Sequence, residues 1–176
     1  MRIDCERLWL RPFESSDLEA MHAMWRLPAV REYLWDDVEI DRATAEDVFE
    51  ANEGWFRELG YGLFCVHLRA GDSLAGFCGL RPFEDTDGQT KPELLYGLHP
   101  DYWRRGYADE ASRAVLRFGF DECGLDPIHA GIDPPNARSR VVLERLGFHD
   151  WRSIEIEGLP ADYALITRAD FEARIA

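Results

Sequence analysis

The sequence predicts an α+β fold, with a mixed, mostly antiparallel sheet of about seven strands and helices on both faces. Three observations carry that prediction. Short alternating apolar runs in the middle of the chain pair off as hairpins across polar turns. Longer stretches with apolar residues three and four apart read as amphipathic helices. The passage from Glu93 to Asp133 runs strand, helix, strand, and such a crossover supplies one parallel pair.

Taken in order, Cys5–Pro12 has strand character, with Leu8 and Leu10 on one face and Trp9 on the other. Ser15 or Ser16 is the expected cap of a helix to about Arg26, with Leu18, Met21, Met24 and Trp25 as its apolar stripe. Pro28 ends that helix, and a short helical piece through Tyr33 follows. Thr44–Leu59 reads as a second long helix, turning Val48, Phe49, Ala51, Trp55, Phe56 and Leu59 inward. Tyr61–Leu68 and Leu74–Arg81 form a hairpin across residues 69–73, and a polar turn, Glu84–Thr90, leads to a strand over Glu93–Leu98. A helix over Tyr107–Cys123, a strand over Ile128–Asp133 and a helix over Asn136–Leu146 come next, the last closed by Gly147. Strands Phe148–Glu157 and Asp162–Thr167 and a short tail helix complete a single expected domain, 1–176.

At 176 residues, 46% hydrophobic and 31% charged, the chain has the composition of a soluble globular protein with one substantial core. No apolar run approaches the roughly 20 residues that span a bilayer. The opening MRIDCERLWL is too charged for a signal peptide, so the cytoplasm is the expected compartment. Cys5, Cys65, Cys78 and Cys123 are scattered, and the five histidines show no ligand spacing, so neither bridges nor a metal site are expected. A net charge of −14 argues against nucleic acid as a partner. It suits a cationic small partner and serves equally as a solubility device.

The stretch Trp103-Arg104-Arg105-Gly106-Tyr107-Ala108 turns a strand directly into a helix. A helix's first turn presents unpaired N–H groups and the positive end of its dipole, an anion site that Gly106 lets a diphosphate approach closely. The alternative is a plain turn with solvated arginines. Neither G-x-G-x-x-G nor G-x-x-x-x-G-K-[ST] is present, so the common nucleotide sites are disfavoured.

The segment from Glu93 through Tyr96, Gly97 and Leu98 to Ala111, containing that turn, resembles the acyl-CoA-binding motif of the GNAT superfamily of N-acetyltransferases, within it the ribosomal-protein-acetyltransferase-like branch. Asn136-Ala137-Arg138-Ser139, followed by Leu143-Glu144-Arg145-Leu146-Gly147-Phe148, is similar to the family's second motif. The opening Glu6–Pro12 and the strand Ala75–Leu80 also look family-like. Two departures stand out: Trp103 replaces the Gln or Arg common at the start of the turn, and Leu95 stands where glycine is common.

The resemblance implies that the parallel pair splays apart to admit the pantetheine arm of acetyl-CoA. Backbone groups of Tyr96, Gly97 and Leu98 would bind the arm. The amides of Arg104, Arg105, Gly106, Tyr107 and Ala108 would hold the diphosphate, and Asn136 would hydrogen-bond the pantetheine. A neutral primary amine, on a small molecule or a peptide, would attack the thioester directly. Ser139 is the candidate general acid, against its reading as an ordinary helix serine. An ε-amine must shed its proton at a cost of roughly 4.6 kcal/mol at pH 7, an α-amine only about 1 kcal/mol. Glu93 is the candidate base, ahead of Glu84 and Glu155, against a solvated surface charge. Tyr96 and Tyr163 are candidates to line the acceptor side. Monomer and homodimer both stay open.

Two other classes compete. Gly71-Asp72-Ser73-Leu74 with Asp126-Pro127-Ile128-His129 look like the blocks of GDSL-type esterases, although Ser73 falls at a hairpin tip rather than a strand-to-helix turn. A non-catalytic acyl-CoA-binding module would keep the turn and Asn136 without productive acid and base groups.

Overall fold

A computed structural model describes residues 1–85, 88–156 and 158–175. Its eight strands are β1 (Ile3–Asp4), β2 (Leu8–Pro12), β3 (Leu63–Leu68), β4 (Leu74–Glu84), β5 (Thr90–Leu98), β6 (Ile128–Ile132), β7 (His149–Ile156) and β8 (Leu159–Ile166). Its six helices are α1 (Leu18–Trp25), α2 (Pro28–Leu34), α3 (Arg42–Leu59), α4 (Tyr107–Asp121), α5 (Ala137–Leu146) and α6 (Arg168–Ile175). The strands form one sheet in the order β1-β2-β3-β4-β5-β6-β8-β7. Every pair is antiparallel except β5 with β6.

The expected α+β architecture stands, with one strand more than the seven expected. The addition is β1, whose two residues pair Ile3 with Leu10 and Asp4 with Trp9. Two residues are too few to show an alternation. Residues 86 and 87 of the predicted Glu84–Thr90 turn, and Glu157 at the predicted end of β7, lie outside the described residues.

Strand alternation splits the core in two. Phe64, Val66, Cys78 and Leu80 face the cluster under α4 and α5, built on Val115, Leu116, Phe120 and Leu143. Leu63, Cys65 and Phe77 face the cluster under α1 to α3, built on Met21, Trp25, Val30 and Ala45. Helices therefore cover both faces. Among the described residues no helix is long and apolar enough to cross a membrane.

Local chemistry explains the helix ends, with corrections. Neither Ser15 nor Ser16 caps the first helix. A 3-10 turn over Ser15–Asp17 precedes α1, and the Asp17 carboxylate accepts the Glu14 N–H at 2.8 Å. Two Arg11 nitrogens grip the same carboxylate at 2.6 and 2.7 Å, so a charged residue takes the capping position. Pro28 ends the first helix by opening the next, as the first residue of α2. Asp41 caps α3 by accepting the Thr44 N–H at 2.8 Å. Ala51 and Leu59, expected inward on α3, are exposed, Leu59 by 45%. Asn52 is buried instead and bonds both backbone groups of Leu63, accepting its N–H at 2.6 Å and donating to its carbonyl at 3.0 Å. Gly147 closes α5 at φ +109°, as expected of that position.

Candidate active site

The parallel pair gives the site its shape. β5 and β6 share one register pair, Glu93 with His129, and beyond it they part. β5 stays paired with β4 through Leu98, and the ladder continues in the His99 N–H to Ala75 carbonyl bond of 2.8 Å. Backbone groups alternate sides in an antiparallel ladder. Odd-numbered residues of β5 therefore bond β4, and the N–H and C=O of Tyr96 and Leu98 turn toward the gap. The Leu98 carbonyl is already taken, accepting the Trp103 indole N–H at 2.7 Å.

The gap opens into a cleft of about 800 Å³, within the range of small-molecule sites. Its floor is β5 from Glu93 to Leu98, and one wall is α5 with Asn136 and Ser139. Val30 and Tyr33 of α2 and Leu159 and Pro160 of β8 close the far side. The turn before α4 forms one end, contributing Arg104, Gly106, Tyr107 and Ala108.

That turn is built for an anion. Arg104 at φ +61° and Gly106 at φ +77° coil the chain left-handedly, and α4 starts at Tyr107. The first backbone bond into the helix is Glu110 N–H to the Gly106 carbonyl. Among the described residues, the amides of 104–109 have no acceptor within the protein. The two acids of this first helical turn are each paired with an arginine. Asp109 pairs with Arg113 at 2.7 Å, and Glu110 pairs with Arg7 at 2.7 Å. Arg7 also donates to the Arg105 carbonyl at 2.8 Å and stacks over Tyr107, bracing the turn from β2's approach. Sequence reasoning gave Arg7 no role, because its partners lie about a hundred residues away. Arg138 lies over the Trp103 ring at 4.5 Å, so the tryptophan acts as a platform for a guanidinium.

Asn136 is the cap of α5, its side-chain oxygen accepting the Ser139 N–H at 3.2 Å, which leaves its amide hydrogens to the cleft. The Ser139 hydroxyl has no hydrogen-bond partner among the described residues. Its carbonyl accepts the Tyr96 phenol at 3.4 Å. Burial pushes the Tyr96 phenol up, so it stays a protonated donor. Glu93 is no solvated surface charge. It is 3% exposed on the cleft floor, with Arg81 donating to it at 2.6 Å. Burial raises its carboxyl, opposed by the Arg81 guanidinium and the Gly131 amide. Glu84 and Glu155 are exposed and outside the cleft lining. Tyr163 is fully buried, packed between His129 and Phe83 rather than lining the acceptor side. Leu95 is half-buried on the cleft floor.

Away from the cleft, Asp17, Cys65 and His67 bring donor atoms within 4.8 Å of one another, a grouping that spacing along the chain does not reveal. Arg11 holds both Asp17 oxygens, and burial keeps the Cys65 thiol protonated. A metal prefers thiolate, so the chemistry of the trio is that of a packed ion pair. The esterase blocks are not assembled. Ser73 lies roughly 25 Å along β4 from Arg81, whereas His129 sits level with Glu93.

A sheet parted over free helix-terminal amides is the architecture of an acetyltransferase. The chain belongs to the GNAT acetyltransferases: the Acetyltransferase (GNAT) domain family matches residues 7–149. An uncharacterized N-acetyltransferase, p20, of Bacillus licheniformis is 28% identical over 158 residues, covering 90% of this chain and 84% of its own. A GNAT-family acetyltransferase structure from Bacillus anthracis superposes with a TM-score of 0.77 at 27% identity, over 95% of this chain and 98% of that one. RimL, a ribosomal L7/L12 α-N-protein acetyltransferase solved in complex with coenzyme A, shares the fold with a TM-score of 0.78 at 14% identity, over 95% and 98% of the two chains.

Proposed function

We propose that the chain is one domain, 1–176, that transfers acetyl from acetyl-CoA to a primary amine by direct attack. The observation that carries this reading is the single-rung β5–β6 pair, which opens a cleft ending at the free amides of 104–109. Those amides, with Arg104 and Arg138 beside them, fit a diphosphate. When bound, acetyl-CoA supplies the activated acyl carbon and the thiolate leaving group.

The protein's own groups then have distinct tasks. The Tyr96 and Leu98 N–H groups, fixed by the ladder to β4, donate to the arm and to negative charge developing on the acyl oxygen. The Asn136 amide holds the arm from the opposite wall. Ser139, with a hydroxyl uncommitted inside the protein, gives the proton to the departing sulfur. Glu93, whose affinity for protons is raised by burial, takes the proton of the attacking amine. Val30, Tyr33 and Leu159 exclude water from the acceptor side. The four free cysteines suit a reducing compartment such as the cytoplasm.

An acetyl-CoA-dependent thiol-release screen over a library of α-amines, diamines, aminoglycosides and peptides tests the reading. Turnover with at least one amine is expected, and Ser139→Ala should lower kcat by about 100-fold while leaving coenzyme affinity within a few-fold. Tight coenzyme binding without turnover of any amine would instead make the chain a sensing module.

A further inference from the structure

The floor of the cleft holds a charged pair whose two halves are placed differently. Leu95 of β5 and Phe77 of β4 pack into the cluster under α1 to α3. Strand alternation puts Glu93 and Arg81 on that same face, where the register sets them directly opposite each other. Both line the cleft. The Arg81 Nε donates to Glu93 Oε2 at 2.6 Å. The other oxygen, Oε1, lies over Gly131 of β6, where an added Cβ would meet it at 3.0 Å and the Tyr163 ring at 3.2 Å. Glycine at 131 therefore leaves the room that Oε1 occupies. One oxygen is thus bound by a cation on the β4 side, and the other lies on the β6 side, across the gap where the strands part.

The remaining charges near the pair are engaged elsewhere or are acidic. Lys91 of β5 and Arg152 of β7 both hold Asp85 of β4. His129 of β6, the register partner of Glu93, stacks on Tyr163 of β8. The Tyr163 phenol is pushed up by burial first and then by the charges of Glu93 and Asp85, so it stays neutral. Tyr33 of α2 likewise carries a neutral phenol, raised by Glu32 beside it. Asp36, just past α2, and Asp133, just past β6, line the cleft and bring only negative charge. Among the described residues, Arg81 is the one cation bonded to Glu93. A carboxylate only 3% exposed, with acids lining the same cleft, would otherwise hold its proton more tightly and lose its use as a base.

We infer that Arg81 is the positioning residue for the base: it binds Oε2, leaves Oε1 as the oxygen that receives the amine proton, and supplies the charge that keeps Glu93 a carboxylate. The inference rests on the reading of Glu93 as the base. As the acceptor nitrogen's lone pair bonds the acyl carbon, one N–H bond breaks, its electrons stay on nitrogen and its proton goes to Oε1. Arg81 acts in that step through Glu93 and not on the acceptor.

The ionisation of Glu93 can be read directly, with no acceptor present, by carbon-13 NMR of the intact chain labelled at the glutamate carboxyl carbons, with E93Q assigning the resonance. R81Q should raise the titration midpoint of Glu93 by about 1 to 3 pH units, the loss expected for an opposite charge in contact. R81K keeps the charge and should stay within about one unit of wild type. Turnover of acetyl-CoA with the fastest amine of the screen should show the pH limb of R81Q displaced by the same amount as its midpoint. R81K, without the planar fork that holds Oε2, should lower kcat about tenfold with coenzyme affinity within a few-fold. Circular dichroism and the thermal midpoint check each fold, and R81K serves alone if R81Q does not fold. An unmoved midpoint in R81Q, or R81K with wild-type kcat, would overturn the role of Arg81 while leaving Glu93 as the base. An E93Q enzyme that keeps both its rate and its limb would instead bring down the reading of Glu93, and this inference with it.

Discussion

The Glu93 carboxylate is pulled two ways. Burial on the cleft floor raises its proton affinity, while Arg81 and the Gly131 amide favour the ionised form. The net direction is upward, which makes it a better proton acceptor near neutrality than an exposed glutamate near 4.3. A base works only when deprotonated, so kcat/KM should climb with pH through a limb above the ordinary carboxylate range and then level. Glu93→Gln should remove that limb and cost about 100-fold at pH 7 with ε-amine acceptors, and less with α-amines, which lose their protons more readily. An unchanged pH profile in the variant would move the base elsewhere. The position of Glu93 was legible in the motif, but its environment was not. Arg81 lies across from it on β4, and nothing in the local sequence announces that register. Tyr163 shows the converse: an aromatic residue on a strand read as a possible lining group belongs to the core.

At the scale of elements, periodicity located all six helices and all strands but β1, because each carries an apolar stripe or alternation of its own. It failed where a polar residue does structural work. Asn52 lies on α3 among charged neighbours and reads as solvent-facing, yet it satisfies both backbone groups of Leu63 at the start of β3. Asn52→Ala would leave a buried N–H and a buried carbonyl unpaired. A loss of about 2–4 kcal/mol follows, measurable as a lower urea midpoint with an unchanged slope. A midpoint within error of wild type would mean that α3 and β3 are joined by packing alone. The roof of the cleft was hidden for another reason. Val30 and Tyr33 sit on a short helix some sixty residues before β5, and only the folded chain brings them over it.

For the molecule as a whole, net charge conceals the relevant field. An overall charge of −14 suggests repulsion of any anion, but the acids are spent on most of the arginines, and among the described residues all but Arg117 of the rest border the turn before α4 or the openings beside it. Affinity for coenzyme A should therefore fall as ionic strength rises from 0.05 to 0.5 M, through screening of that local positive field, as read by calorimetry. A salt-independent or rising affinity would show that the global negative charge governs approach. Sequence reading saw the two arginines of the turn. It could not see that Arg145 and Arg174 join them, since pairing and its absence are properties of three dimensions.

The one-rung contact between β5 and β6 also divides the sheet into unequal leaves, five strands on one side and three on the other, buttoned at Glu93 and His129. Each leaf ends there in an edge that faces the protein's own interior. Edges are commonly blunted by charge or cover because exposed backbone invites another chain to dock. Here the interior edge is left receptive, so a guest with amides of its own can lie between the leaves as a surrogate strand, and the two halves of the sheet are stitched across the slot by whatever occupies it.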